Sequence, residues 1–125
     1  MSIHKIIRAR ILPWVWIIFC TVLFFMPGSA LKSKFVMHGG DKVVHFILFF
    51  VLTLLFASSN YFKTISSIIL YLILISLYIY GIELGQKYLA SGRSYEFMDM
   101  VADMAGTFAA LAIYIFHKIL TNKSL

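Results

Sequence analysis

Thr64–Leu84, TISSIILYLILISLYIYGIEL, carries no charged side chain before Glu83. About 20 apolar residues of helix cover the roughly 30 Å of hydrocarbon in a bilayer, so this run predicts a membrane-spanning helix. The composition around it agrees. Of 125 residues, 62% are hydrophobic and 13% are charged, and the mean hydropathy is +0.93. Such a chain lacks the polar residues to cover a soluble domain and is expected to be an integral membrane protein. The net charge of +6 does not imply a nucleic-acid partner, because the basic residues fall singly or in twos and threes beside apolar segments, where they meet phospholipid headgroups. The lone Cys20 lies inside an apolar run, which excludes an intrachain disulfide and any Cys-based metal or redox motif and leaves it lipid-facing or packed.

Upstream of that run, the short polar stretch Ser58–Lys63 predicts a hairpin turn to a second helix over about 42–57. Asp41, after the breaker Gly39-Gly40, can cap that helix and complement its dipole. The run is short for a span, so Asp41 and His45 should sit at or just inside an interface. Before it lies a loop, Pro27–Gly40, with Lys32, Lys34 and His38. The first helix is expected over about 11–26, with Pro13 in its first turn and Trp14 and Trp16 at headgroup level. A cleaved signal peptide is the rival reading of this segment, given Lys5, Arg8, Arg10 and the small residues Gly28 and Ala30.

Downstream, Gly85–Phe97 reads as a loop, 99–116 as a fourth helix and His117–Leu125 as a polar tail. The expected fold class is therefore all-α: a polytopic membrane protein, one domain over 1–125, built as a bundle of four transmembrane helices (11–26, 42–57, 64–84, 99–116) with both termini on the same side. Lys5, Arg8, Arg10, Lys63, Lys118 and Lys123 fall on the terminal side against Lys32, Lys34, Lys42, Lys87 and Arg93 on the other. The N-terminal cluster acts first in insertion, which favours cytoplasmic termini in a bacterial cytoplasmic membrane. All the carboxylates then face outward.

Those carboxylates are few and gathered. Asp41 heads the second helix, and Glu83, Glu96, Asp99 and Asp103 lie within Gly81–Gly106, GIELGQKYLASGRSYEFMDMVADMAG. Glu83 and Gln86 share a face if the third helix persists that far, as do Asp41 and His45. Asp99, Asp103 and Gly106 follow at i, i+4 and i+7. An acid in a first helical turn, such as Asp99, is accounted for by the dipole. Asp103 lies about 6 Å deeper and needs a partner. Ala102, Gly106 and Ala110 form a small-residue ridge that admits a neighbouring helix. Pairs such as Arg93 with Glu96 or Asp99 would merely tie hairpin ends together. An accumulation of acids with Lys42, His45 and Arg93 is better explained by a ligand, since buried ion pairs stabilise little. His4, His38 and His117 lie near loops or tails and read as solvated.

Asp41-Lys42-Val43-Val44-His45-Phe46, then Glu83-x-x-Gln86, Arg93 and Asp99-x-x-x-Asp103-x-x-Gly106 resemble the VanZ-like family of small bacterial membrane proteins across about 11–117. That family usually carries Asn where this chain has Asp103. The resemblance implies a cell-envelope role, and the family takes its name from a member associated with resistance to the glycopeptide teicoplanin.

The candidate ligand-binding residues are thus Asp41, Lys42, His45, Glu83, Gln86, Arg93, Asp99 and Asp103. Lys42 and Arg93 suit phosphate or carboxylate, and the acids with Gln86 suit amine or hydroxyl groups. The expected partner is a membrane lipid or envelope-precursor headgroup, or a glycopeptide. Self-association into a homo-oligomer stays open. Neither a cofactor nor a metal is expected, and no catalytic residue is assigned. Two other classes remain. One is a membrane enzyme in which an acid such as Glu83 or Asp99 acts as base near His45, with a divalent cation optional. The other is a proton- or ion-coupled carrier. No H-E-x-x-H, nucleophile elbow or phosphate loop supports the enzyme.

Overall fold

The computed structural model of the protein describes residues 3–27, 40–89 and 95–121. Among them are four helices and no strand: α1 (Ile3–Phe25), α2 (Gly40–Ser58), α3 (Ile65–Leu89) and α4 (Phe97–Leu120). The all-α fold class read from the sequence holds. α2, α3 and α4 are long and apolar enough to cross a membrane, whereas the apolar part of α1 is the shorter Ala9–Phe25. The loop residues Lys32, Lys34, His38 and Arg93, and the tail residue Lys123, lie outside the described residues.

The α2–α3 hairpin closes as its sequence dictates. Asn60 sits in the left-handed region (φ 61°), which an Asn side chain tolerates. The Tyr61 N–H reaches back to the Phe56 carbonyl and the Asn60 N–H to the Ala57 carbonyl, which satisfies the last carbonyls of α2 in a Schellman arrangement. The rings of Phe56 and Tyr61 meet at 5.3 Å, the apolar contact that accompanies this cap. On the other side of the turn, the Thr64 N–H donates to Ser67 Oγ (3.1 Å) and the Ser67 N–H to Thr64 Oγ1 (3.2 Å). This is a capping box with Ser in place of the usual acid, and it starts α3.

α1 begins well before the sequence suggested, because the basic segment ahead of Ile11 is itself helical. Pro13 is therefore interior rather than in the first turn. A proline lacks the N–H that would bond the carbonyl four residues back, here that of Ala9. That carbonyl accepts instead from the Ser59 hydroxyl, and the next one, of Arg10, accepts from Tyr61 Oη at 3.2 Å. Within a bilayer such substitutes are required, since no water is there to supply them. Trp14 Nε1 donates to Tyr61 Oη (2.9 Å) at the same end, while Trp16 lies deeper and donates to the Leu48 carbonyl of α2 (3.0 Å).

The end of α4 also belongs here, since Tyr114 Oη donates to the Phe62 carbonyl (2.9 Å). The start of α1, the α2–α3 turn and the end of α4 thus share one end of an up-down-up-down bundle.

α2 and α4 form the spine. A side chain added at Gly106 would run into the Phe46 carbonyl and meet the Phe50 amide nitrogen at 3.1 Å, so the two backbones touch there. Ala110, one turn further along the ridge, is fully buried. The small-residue pattern therefore does what its spacing predicted. Cys20 is packed rather than lipid-facing, within a core that includes Phe24, Phe49, Leu52, Ile79 and Ile82. Ile69, Leu70, Ile73, Leu74 and Leu77 of α3 stay exposed and form its lipid face. Polar groups at mid-depth are paired: Thr53 donates to the Phe49 carbonyl and shares a 2.8 Å bond with Tyr71 Oη.

α3 also runs longer than expected, to Leu89. The sequence reading begins a loop at Gly85, yet in space Gly85 is where α3 passes the ring of Phe25, and a side chain there would strike that ring. Helical geometry therefore persists through Gln86, and Glu83 and Gln86 share the buried face of α3.

Candidate functional site

The opposite end of the bundle gathers the C-terminal ends of α1 and α3 with the N-terminal ends of α2 and α4, and the acids are there. Their burial divides them into a mouth and an interior. At the mouth, the side chains of Asp41, Glu96 and Lys42 are 60%, 47% and 36% exposed. Inside, His45 is 3% exposed, Asp99 6%, and Glu83 and Asp103 not at all.

Lys42 spans the boundary. Its Nζ lies 2.8 Å from Glu96 Oε2 and 3.0 Å from Asp99 Oδ1, with Asp41 Oδ1 at 4.0 Å. Lys42 thus ties Glu96 and Asp99 together. Arg93 itself lies outside the described residues. One turn deeper, His45 Nδ1 is 2.9 Å from Asp103 Oδ1 and Nε2 is 3.6 Å from Asp99 Oδ2. When Asp103 is ionised it can only accept, which puts the proton on Nδ1 and leaves Nε2 facing Asp99. The ring of Phe24 covers His45 at 4.7 Å and excludes the α1 side.

Glu83 links two helices. No side chain of α4 caps its own start; instead Glu83 Oε2 accepts the Glu96 N–H at 3.1 Å, as the acid of a capping box would, but from α3. Its other oxygen, Oε1, and Asp103 Oδ2 are buried with no hydrogen-bond partner among the described residues. Gln86 donates to the Phe24 carbonyl at 3.1 Å, the last turn of α1, and so ties α1 to α3. Asp41 contributes from outside, accepting the Lys42 N–H at 3.0 Å while its side chain stays at the rim.

Of the residues singled out from the sequence, Lys42, His45, Glu83, Asp99 and Asp103 converge, Asp41 stands at the rim, and Gln86 spends a donor on α1. Glu96 belongs to the cluster and was not singled out, although it stands three residues before Asp99 in the stretch that holds most of the acid. Phe24 carried no signal, because nothing local distinguishes it from the other aromatic residues of α1.

The sequence model of the VanZ/LLP1 family matches residues 3–120. The chain belongs to that family. No curated protein and no solved structure matches it. For this VanZ/LLP1 membrane protein the match covers all four helices, so the site is assembled wholly from the family's own segment. Chemically, the described residues offer a surplus of acceptors beneath Lys42.

Proposed function

We propose that this protein is a multi-pass component of a bacterial cytoplasmic membrane, with cytoplasmic termini, whose outward polar end holds the headgroup of a lipid or envelope precursor, or a glycopeptide. The observation that carries this reading is the pair of orphaned buried oxygens, Glu83 Oε1 and Asp103 Oδ2, beneath a half-exposed mouth. A fully buried acceptor without a donor is costly, and a ligand amine or hydroxyl would supply the donor. Lys42 at the mouth, with Arg93 in the adjoining loop, would meet the phosphate or carboxylate of the same ligand. Membership of the VanZ/LLP1 family supports the envelope setting, and teicoplanin tolerance is the phenotype to which this reading points.

A second reading is favoured by one contact. The 2.9 Å His45–Asp103 pair is a base held by an orienting carboxylate, the arrangement a membrane enzyme needs for general-base chemistry.

Native mass spectrometry of the purified protein tests the first reading. Wild type should retain an amine- or hydroxyl-bearing lipid through detergent exchange, and Glu83→Gln and Asp99→Asn should lose it at least tenfold while remaining folded. Equal retention by folded variants would remove the headgroup site. With the same preparations in cells, a cysteine at Ser91 should react with an impermeant reagent from outside and one at Ser124 should not.

A further inference from the structure

The headgroup reading leaves His45 Nε2 without a task. With Asp103 ionised, the neutral ring carries its proton on Nδ1, so this nitrogen presents a lone pair, and it lies 3.6 Å from Asp99 Oδ2. That separation is wider than the 2.7–3.2 Å of a direct N–H···O bond. It matches the spacing of two ligands on one ion, since donors 2.0–2.2 Å from a tetrahedral metal stand about 3.4 Å apart. The third donor is in place. A carboxylate oxygen of Glu83 lies within 4.8 Å of both the His45 and the Asp99 ligand atoms, and all three side chains are buried.

We infer that His45, Glu83 and Asp99 form a binding site for a divalent first-row transition cation, with Asp103 as the carboxylate that orients the histidine. Three features support it beyond the clustering of acids. Glu83 is fully buried and its Oε1 has no protein partner, so it has an acceptor to offer. The imidazole Nδ1 bonded to a carboxylate, with Nε2 directed at other ligands, is the outer-shell pattern that sets a ligating histidine. The charge balance also calls for a cation. Among the described residues, three buried carboxylates stand against one histidine and a Lys42 already shared between Glu96 and Asp99. Leaving them ionised and unneutralised at this depth is unfavourable, and a doubly charged ion offsets two of them.

The donor set selects the class of ion. One imidazole with two carboxylates suits Zn2+ or Mn2+ better than Mg2+ or Ca2+, which favour all-oxygen shells. A second acidic trio, Asp41, Glu96 and Asp99, also brings ligand atoms within 4.8 Å, but two of its members are exposed and Lys42 occupies its centre. It is the poorer site. The enzyme alternative read from the sequence already put Glu83 or Asp99 near His45 with an optional divalent cation, but the three ligands come from three helices and only the fold brings them together.

The inference draws on the same Glu83 Oε1 as the headgroup reading, and its test measures metal rather than lipid, so the two can fail separately. Purified full-length protein in detergent is titrated with Zn2+ and with Mn2+, and retained metal is counted after desalting. Wild type should hold close to one equivalent of one of these ions. Glu83→Gln and His45→Gln should each weaken binding by roughly 100-fold or more, Asp103→Asn by about 10–100-fold as an orienting group, and Asp41→Asn should have no effect. Should the His45 variant fail to fold, a protein with His4, His38 and His117 all replaced by Gln is loaded with Mn2+ and examined by pulsed EPR. An imidazole nitrogen coupled to the ion can then come only from His45. Folded wild type that binds neither ion, binding lost in Asp41→Asn but kept in Glu83→Gln, or a Mn2+ signal without nitrogen coupling would each overturn the site.

Discussion

The two ends of this bundle are both rich in polar groups, yet they balance differently. At the α2–α3 turn, Asn60, Tyr61, Thr64 and Ser67 satisfy the helix termini, and Ser59 and Tyr61 take up the carbonyls at the Pro13 irregularity. The charged residues described there are all basic and lie at the surface or over aromatic rings, with Lys63 exposed, Arg10 over the Tyr61 ring and Lys118 over the Tyr114 ring. At the other end, charged groups are concentrated, α4 borrows its cap from α3, and two buried oxygens remain unpaired. Polar density by itself therefore does not mark a site. What marks one is polar chemistry that the fold leaves incomplete, because each unpaired buried group is a cost retained only where something else compensates it.

The largest effect should come from the element on which both ends hang. Gly106→Val would drive a side chain into the α2 backbone, and we expect a loss of about 3 kcal/mol, the upper part of the overpacking range, with little protein left in the membrane. Denaturant titration of the solubilised protein checks this, and a change under 1 kcal/mol would show that α2 and α4 are not the spine.

Next comes the neutral end. Ser59→Ala leaves the Ala9 carbonyl without its donor, and the expected cost is about 1–2 kcal/mol with metal and lipid retention unchanged. If retention falls with stability, the two ends are coupled and the comparison fails.

The smallest stability effect should come from the charged end. Glu83→Gln removes a buried charge yet keeps an oxygen for the Glu96 N–H, so stability should stay within about 1 kcal/mol of wild type, or rise, while lipid and metal retention collapse. A large destabilisation would make Glu83 a scaffold residue instead.

How far the sequence revealed this depends on the range of each interaction. The all-α bundle and the hairpin were legible, because charge-free runs and the Ser58–Lys63 turn are local signals. The Gly106 ridge was legible for the same reason. The starts and ends were not. The basic flank of α1 read as an anchor rather than as helix, which misplaced Pro13, and Gly85 read as the start of a loop although it lies within α3 where that helix passes the Phe25 ring. The candidate residues were identified from their acidity, but their partners were not. Lys42 with Glu96, and His45 with Asp103, are separated by more than fifty residues, and only packing joins them.

The cap that Glu83 lends to α4 has a consequence for communication. The carboxylate that offers one oxygen to the interior holds, with the other, the first peptide of the next helix. Whatever draws Glu83 inward competes directly with that peptide. If a cation binds Glu83 as inferred, it would be felt at a single backbone amide, so exchange of the Glu96 N–H would report its binding without any probe placed inside the bundle.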